Sequence, residues 1–93
     1  MKVSWTEAKR AETLRRRGVD LARAARIFLG DVLEAEDRRS NYSERRYRAL
    51  GEHEGIAYVV VFTWREDVRH LVTAWKVDEA GRRRYARLLA GGP

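Results

Sequence analysis

The sequence predicts a two-layer α+β fold, with two helices first, an antiparallel meander of strands next and one helix last. Residues 21–28 repeat apolar side chains at helical spacing, and residues 56–64 are almost continuously apolar and rich in β-branched and aromatic types. Residues 79–89 return to helical spacing. Helices in such an order pack against one side of the sheet. We therefore expect the other side to be partly open, which is where a ligand would lie.

The first helix is expected to follow a short strand at residues 2–5. The S-x-x-E spacing of Ser4-Trp5-Thr6-Glu7 lets a hydroxyl and a carboxylate satisfy the first free helix amides, so it predicts a start there. Gly18 tolerates the left-handed conformation that ends a helix. Asp20 is expected to cap a second, antiparallel helix that Gly30 ends. The inward face of this second helix is expected to carry Leu21, Ala24, Ala25 and Phe28.

Strands are expected at residues 32–35, 44–50, 56–64 and 68–76, with a polar loop at 37–41 and a tight turn at 65–67. The strand at 56–64 is apolar on both faces, so it should lie in the middle of the sheet. Asp78 can cap the last helix. The inward stripe of that helix is expected to contain Gly81, Tyr85, Leu88 and Leu89, with its arginines off the stripe.

The 93 residues are expected to form a single domain, residues 1–93, because two halves would each be too small to bury a core. The chain has no cysteine and two histidines, His53 and His70, which are far apart. Disulfides and thiolate metal sites are therefore excluded, and we expect neither a metal nor a cofactor. No apolar run approaches the roughly 20 residues needed to span a bilayer, so we expect a cytoplasmic protein.

The chain is strongly basic, with 20 lysines and arginines against 14 acidic residues and a formal net charge of +6. Most of the basic residues are arginines, whose planar guanidinium groups suit bidentate contacts with phosphate or carboxylate. The composition predicts a polyanion or an acidic protein as partner. A basic surface that only interacts with solvent fits the composition equally well.

Side chains suited to chemistry lie in the strands and the last helix. His70 is the side chain of its strand that can transfer a proton near neutral pH, unless it is a structural histidine. Glu44 and Arg46 alternate onto one face, which indicates either a phosphate-binding strip or a charged sheet edge. Lys76 at a strand end can hold an anion or lie at the surface, and Tyr85 can be a core residue or a hydrogen-bonding phenol.

Several segments along the chain follow one ordered pattern. They are Trp5, Lys9, Arg17-Gly18, Ala24-Ala25-x-x-Phe28, Glu44-x-Arg46 followed by Gly51, the strand Val60-Val61-Phe62-Thr63-Trp64-Arg65, the strand His70-Leu71-Val72-Thr73-Ala74-Trp75, and Tyr85. Taken together, these segments resemble the BrnT family of bacterial toxins, over nearly the whole chain, and the resemblance implies a RelE-like fold. The sequence departs from the family pattern at Thr6, Arg17, His70, Trp75 and Gly81.

The resemblance implies the toxin of a bacterial type II toxin-antitoxin system, a metal-independent endoribonuclease that cleaves RNA and so inhibits translation and growth. Its partner would be a BrnA-like antitoxin of the ribbon-helix-helix class, and no membrane is involved. Such enzymes activate a 2′-hydroxyl and stabilise charge on phosphate with basic side chains. The implied roles are phosphate stabilisation for Arg46 and Arg65, proton transfer for Glu44 or His70, support for Lys76 and Tyr85, and RNA contacts for Arg48, Arg69, Arg82, Arg83 and Arg84.

Two readings from other classes remain at this point. A module with the same fold can bind RNA or protein through its basic surface without cleaving anything, and the Trp at position 75 in place of the family Arg favours this reading. A partner protein whose arginines only keep it in solution should bind RNA negligibly and should lack the steep salt dependence of multiple phosphate contacts.

Overall fold

One five-stranded sheet forms the centre of the protein, with its strands in the order β1-β5-β4-β3-β2. The structure is a computed structural model and describes residues 2–39 and 41–91. The predicted α+β class is confirmed, with helices at both ends and a strand meander between them. The elements are β1 (Val3–Ser4), α1 (Glu7–Arg17), α2 (Leu21–Ala24) continued by a 3₁₀ segment (Ala25–Leu29), β2 (Leu33–Asp37), β3 (Arg46–His53), β4 (Ile56–Arg65), β5 (Val68–Val77) and α3 (Glu79–Leu89).

Helix α1 begins two residues later than the S-x-x-E spacing predicts. Thr6 is the N-cap, and its Oγ1 accepts a hydrogen bond from the Lys9 amide at 3.1 Å. The predicted cap at Ser4 is therefore wrong, because Ser4 lies in β1, which pairs in parallel with β5. Gly18 ends the helix with a φ of 67°, as predicted.

The second helical segment begins at the predicted cap. Asp20 Oδ1 accepts from the Ala22 amide at 3.0 Å, and the same oxygen accepts from Arg10 Nε at 2.8 Å. This ion pair ties the start of α2 to α1. After one turn the helix tightens into the 3₁₀ segment, which ends at Gly30.

Strands β2 to β5 form the predicted antiparallel meander. Strand β4 lies in the middle and is buried on both faces over residues 57–63. Strand β2 extends further than predicted and ends at Asp37, a residue expected in a polar loop. That expectation is wrong because the Asp37 side chain is fully buried beside two arginines. On β5, Phe62 pairs with Leu71 and Val61 with Thr73, so Val72 is the extra residue of a β-bulge.

Helices cover both faces of the sheet, which corrects the expectation that all of them lie on one side. Tyr58, Val60 and Phe62 of β4 pack against α2 and the 3₁₀ segment. Val59, on the opposite face, packs in a cluster with Leu50 and Leu89 of α3. The inward stripe of α3 consists of Gly81, Tyr85, Ala86 and Leu89.

The predicted place of Leu88 on that stripe is wrong, because its side chain is 50% exposed. Helix α3 is turned so that Ala86, rather than Leu88, packs with Tyr85 and Leu89. Among the described residues, no helix is long and apolar enough to cross a membrane.

Gly51 of β3 lies directly against the 3₁₀ segment, and we expect Gly51→Ala to destabilise the protein. A Cβ at this position would lie 2.7 Å from Ile27 Cβ and 2.9 Å from Val32 Cγ1, closer than carbon atoms can pack. The strand or the 3₁₀ segment must shift, which should lower the free energy of unfolding by about 1–3 kcal/mol. Denaturant unfolding measures this change.

Gly30→Ala is the matched control, because a Cβ there would meet only the Ile27 carbonyl oxygen at 4.0 Å. Its free energy of unfolding should stay within about 0.5 kcal/mol of wild type. A Gly51→Ala protein as stable as the Gly30→Ala protein would contradict this account of the packing.

Candidate active site

Helix α3 covers only one end of the sheet face that it packs against. Val59 and Leu50 mark the covered end. Towards the other end, strand alternation and cross-strand pairing direct polar and basic side chains of β3, β4 and β5 to this face. We call this open end, together with the C-terminal turn of α1, the basic groove. Its residues are Arg17, Glu44, Arg46, Arg48, Thr63, Arg65, His70, Thr73 and Trp75.

His70 occupies the groove on β5, opposite Thr63 of β4. Its Nδ1 lies 2.9 Å from Ser4 Oγ, so β1 orients the ring and leaves Nε2 as the nitrogen available to a ligand. Burial lowers the pKa of His70 below its ordinary value of 6.5, and the Arg65 charge lowers it further, whereas the Glu44 charge acts in the opposite direction. The imidazole is therefore neutral at neutral pH and can accept a proton.

Glu44 and Arg65 lie beside His70 at the open end of the groove. Arg65 Nη2 is 3.6 Å from Glu44 Oε1, and both side chains are about half exposed. Thr63 Oγ1 donates a hydrogen bond to the Arg45 carbonyl at 2.9 Å, which ties the segment before β3 to β4. The sequence prediction that Glu44, Arg65 and His70 belong to one site thus has a geometric basis, while their roles stay predictions.

Arg46 begins β3 on the same face. Its guanidinium lies 4.3 Å from the centre of the Tyr42 ring, and within the described residues no carboxylate is close enough to pair with it. A guanidinium held by an aromatic ring and not neutralised by a carboxylate keeps its full charge for an anionic ligand. Arg46 thus presents a positive charge on this face, and its predicted contact with phosphate stays a prediction.

Asp37, which the sequence interpretation missed, organises the far side of the groove. Its carboxylate accepts from Arg39 Nε at 2.8 Å and Nη2 at 2.7 Å, and Arg48 Nε lies 3.7 Å away. Burial by itself would raise the pKa of Asp37, but hydrogen bonds from Arg39 and the charges of Arg39 and Arg48 outweigh it and lower the pKa. The sequence signal that could have indicated this site is an aspartate at the end of a strand followed directly by two arginines.

Trp75 and Tyr85 hold three arginines along the same side. The guanidinium of Arg17 lies 5.0 Å and that of Arg39 5.7 Å from the centre of the Trp75 ring, and Arg48 lies 5.7 Å from the Tyr85 ring centre. The two rings contact each other with centres 6.3 Å apart. Tyr85 therefore lies at the α3 end of the groove, where it supports Arg48.

Lys76 does not reach the groove, because of the bulge at Val72. Plain alternation from His70 would put Lys76 on the same face, but the extra residue reverses the order, and Lys76 pairs with Tyr58 on the opposite face. The bulge instead brings Trp75 to the face of His70. The structure thus separates Lys76 from the other predicted catalytic residues.

Arg69 also lies on the opposite face of the sheet. It contacts the rings of Phe28, Phe62 and Trp64 and pairs with Glu34 at 2.9 Å. This arginine is therefore held by aromatic rings and a carboxylate on the side away from the groove.

The arginines of α3 lie along that helix and not in the groove. Arg82 and Arg83 pair with Glu79, at 2.6 Å and 3.6 Å, and Arg84 is exposed. Their predicted RNA contacts would extend the binding surface beyond the groove. Within residues 2–39 and 41–91, no group of three acidic or histidine side chains is arranged to hold a metal ion.

The lowered pKa of His70 makes a prediction about stability. Between the folded-state pKa and 6.5, the unfolded chain binds a proton at His70 that the folded chain does not bind, so acidification favours unfolding. The free energy of unfolding of wild type, minus that of His70→Gln, should therefore fall as the pH is lowered through 6.5. Urea unfolding at a series of pH values measures the difference. A difference that stayed constant or rose on acidification would show that folding does not lower the pKa of His70.

Comparison with known protein families identifies what kind of protein carries this groove. The family model described as "Ribonuclease toxin, BrnT, of type II toxin-antitoxin system" matches residues 5–80, which include every residue of the basic groove. A search of curated proteins found no match. Ribonuclease activity is the general property of this family, and a type II system implies an antitoxin partner. The chain belongs to the BrnT family of type II ribonuclease toxins.

Proposed function

We propose that this protein is an active, metal-independent endoribonuclease that cleaves RNA in the basic groove and thereby inhibits translation and growth. One observation carries the proposal: a neutral histidine, His70, lies beside Arg65 and Glu44 on an open, basic sheet face. The match to a ribonuclease toxin family agrees with this assignment. The groove contains a proton acceptor and several fixed positive charges, which are the groups that cleavage by a neighbouring hydroxyl requires.

Binding comes first from the charge of the groove. Within the described residues, Arg17 and Arg46 have no carboxylate partner, and the Arg65 pair is long and half exposed, so a phosphate can replace Glu44 there. Arginine contacts to phosphates attract RNA regardless of sequence. The arginine guanidinium groups that lie over the rings of Trp75, Tyr85 and Tyr42 are held in place there. This reduces the entropy lost when RNA binds.

The proposed reaction uses the 2′-hydroxyl of the RNA as nucleophile. Nε2 of His70 removes the 2′-hydroxyl proton while Ser4 holds the ring. The 2′ oxygen then forms a bond to the phosphorus and the bond to the 5′ oxygen breaks, leaving a 2′,3′-cyclic phosphate and a 5′-hydroxyl that takes a proton from water. Arg46 and Arg65 stabilise the extra negative charge on the five-coordinate phosphorus. Glu44 keeps Arg65 directed at the groove until RNA binds.

The antitoxin partner that the family implies would act on the same surface. We propose a ribbon-helix-helix antitoxin with an acidic segment that covers the basic groove and competes with RNA for its arginines. Charge complementarity supports this arrangement, because the groove brings together unpaired guanidinium groups that an acidic segment would neutralise. Covering His70 would block cleavage directly.

His70→Gln should lower the cleavage rate by about 100-fold or more, because glutamine cannot accept the proton although its side chain is polar and similar in size to that of histidine. The assay uses end-labelled RNA in the presence of a chelator, with products scored for cyclic phosphate ends and RNA retention measured on the same sample. Arg46→Ala should cause a comparable loss, because the positive charge that stabilises the phosphate in the transition state is removed.

His53→Gln is the matched control, since it changes the other histidine, which lies at the end of β3 beside Glu54 and outside the groove. It should cleave at the wild-type rate. Full activity of folded His70→Gln would eliminate the proposed base, and activity lost on chelation would contradict metal independence. RNA retained by wild type without any cuts would favour the binding module over the enzyme.

A further inference from the structure

A small hollow lies between α1 and β5, at the α1 side of the basic groove. It has a volume of about 190 Å³ and shares Arg17, Arg46 and Thr73 with the groove. Arg46 also lines a wider hollow over the segment between β2 and β3. Pockets for drug-sized ligands are larger, roughly 300–1,000 Å³, so a hollow of this size suits a small group rather than a nucleoside. Its lining residues are Lys9, Glu12, Thr13, Arg16, Arg17, Arg46, Val72 and Thr73.

The lining is strongly positive. Lys9 pairs with Glu12 at 3.7 Å, which neutralises one of the four cations. Among the residues that the structure describes, Arg16, Arg17 and Arg46 lack a carboxylate partner. Three uncompensated guanidinium groups around one small hollow repel each other, and a bound anion removes that repulsion. The ligand chemistry indicated is therefore a doubly or singly charged oxyanion.

A buried hydroxyl gives independent evidence for a polar occupant. Thr13 lines the hollow and is 2% exposed, and none of the described residues forms a hydrogen bond with its Oγ1. Buried polar groups are nearly always hydrogen-bonded, so this hydroxyl can donate a hydrogen bond to a group that enters the hollow or accept one from it. The neighbouring Arg17 is held over the Trp75 ring, so its guanidinium is already ordered before a ligand arrives.

We propose that this hollow is a second phosphate-binding subsite, which takes a backbone phosphate of the RNA next to the phosphate that is cleaved at His70. The inference rests on the proposed ribonuclease function and adds the path that the RNA strand follows across the protein. RNA crosses the open face with Arg46 at the junction, and one flanking phosphate enters between α1 and β5. Because only phosphate is contacted, the subsite fixes the register of the strand without selecting its bases.

The test measures binding of a short 2′-O-methyl RNA, which cannot be cleaved, by fluorescence anisotropy over a range of salt concentrations. Arg17→Gln should weaken binding and reduce the slope of log affinity against log salt by about 0.7, the value for one lost phosphate contact on a single strand. Arg15→Gln is the matched control. Arg15 is exposed on the same helix, does not line the hollow, and has no carboxylate partner in the described part of the chain.

A second set of oligonucleotides locates the phosphate. Replacing one phosphate at a time by a neutral methylphosphonate should remove the Arg17→Gln penalty at a single position beside the cleaved bond. Equal losses for Arg17→Gln and Arg15→Gln, with no such position, would overturn the subsite while leaving the ribonuclease proposal intact. Unchanged RNA binding together with weaker antitoxin binding would also overturn it and assign the hollow to the protein partner. Wild type that binds no RNA would instead contradict the proposed function itself.

Discussion

Burial of β4 on both faces is the constraint on which the rest of the structure depends. Its residues 57–63 are all buried, so each face of the sheet must be covered along this strand. Alternate residues of β4 pack against α2 and the 3₁₀ segment on one side and against α3 on the other. Helix α3 is 11 residues long, so it covers only part of its face. The part of this face beyond α3 contains Thr63, which neighbouring residues bury, and Arg65, which is exposed, and the groove forms there.

The composition of the groove is decided by two local features at the edge of the sheet. Ser4 of β1 fixes the His70 ring through Nδ1, so two residues of parallel strand connect the N-terminus to the proposed chemistry. The bulge at Val72 reverses the alternation of β5, which brings Trp75 to the side of His70 and turns Lys76 away. Trp75 then orders Arg17 and Arg39. A basic surface becomes a shaped site because aromatic rings and Asp37 hold its arginines in place.

Features of the fold that depend on neighbouring residues were predicted correctly, whereas features that depend on contacts between distant residues were not. The caps at Asp20 and Asp78 and the end of α1 at Gly18 depend on neighbouring residues only, and all three are confirmed. Ser4 has a capping pattern but pairs instead with β5, which is distant in sequence.

The site was harder to predict than the fold. The family resemblance grouped Glu44, Arg46, Arg65 and His70, and the structure brings them to one end of the sheet because β3, β4 and β5 are neighbouring strands. Nothing in residues 68–76 marks the bulge that turns Lys76 to the opposite face, and Asp37 was missed because its burial depends on Arg39 and Arg48.

The central claim is that RNA lies across this open face with its reactive 2′ oxygen at His70. A crystal structure of the complex with an RNA carrying 2′-deoxy at the cleavage position tests it most directly. The account predicts the phosphate between Arg46 and Arg65 and the sugar against His70 Nε2. RNA bound on the opposite face, along Arg69 and Lys76, would contradict it.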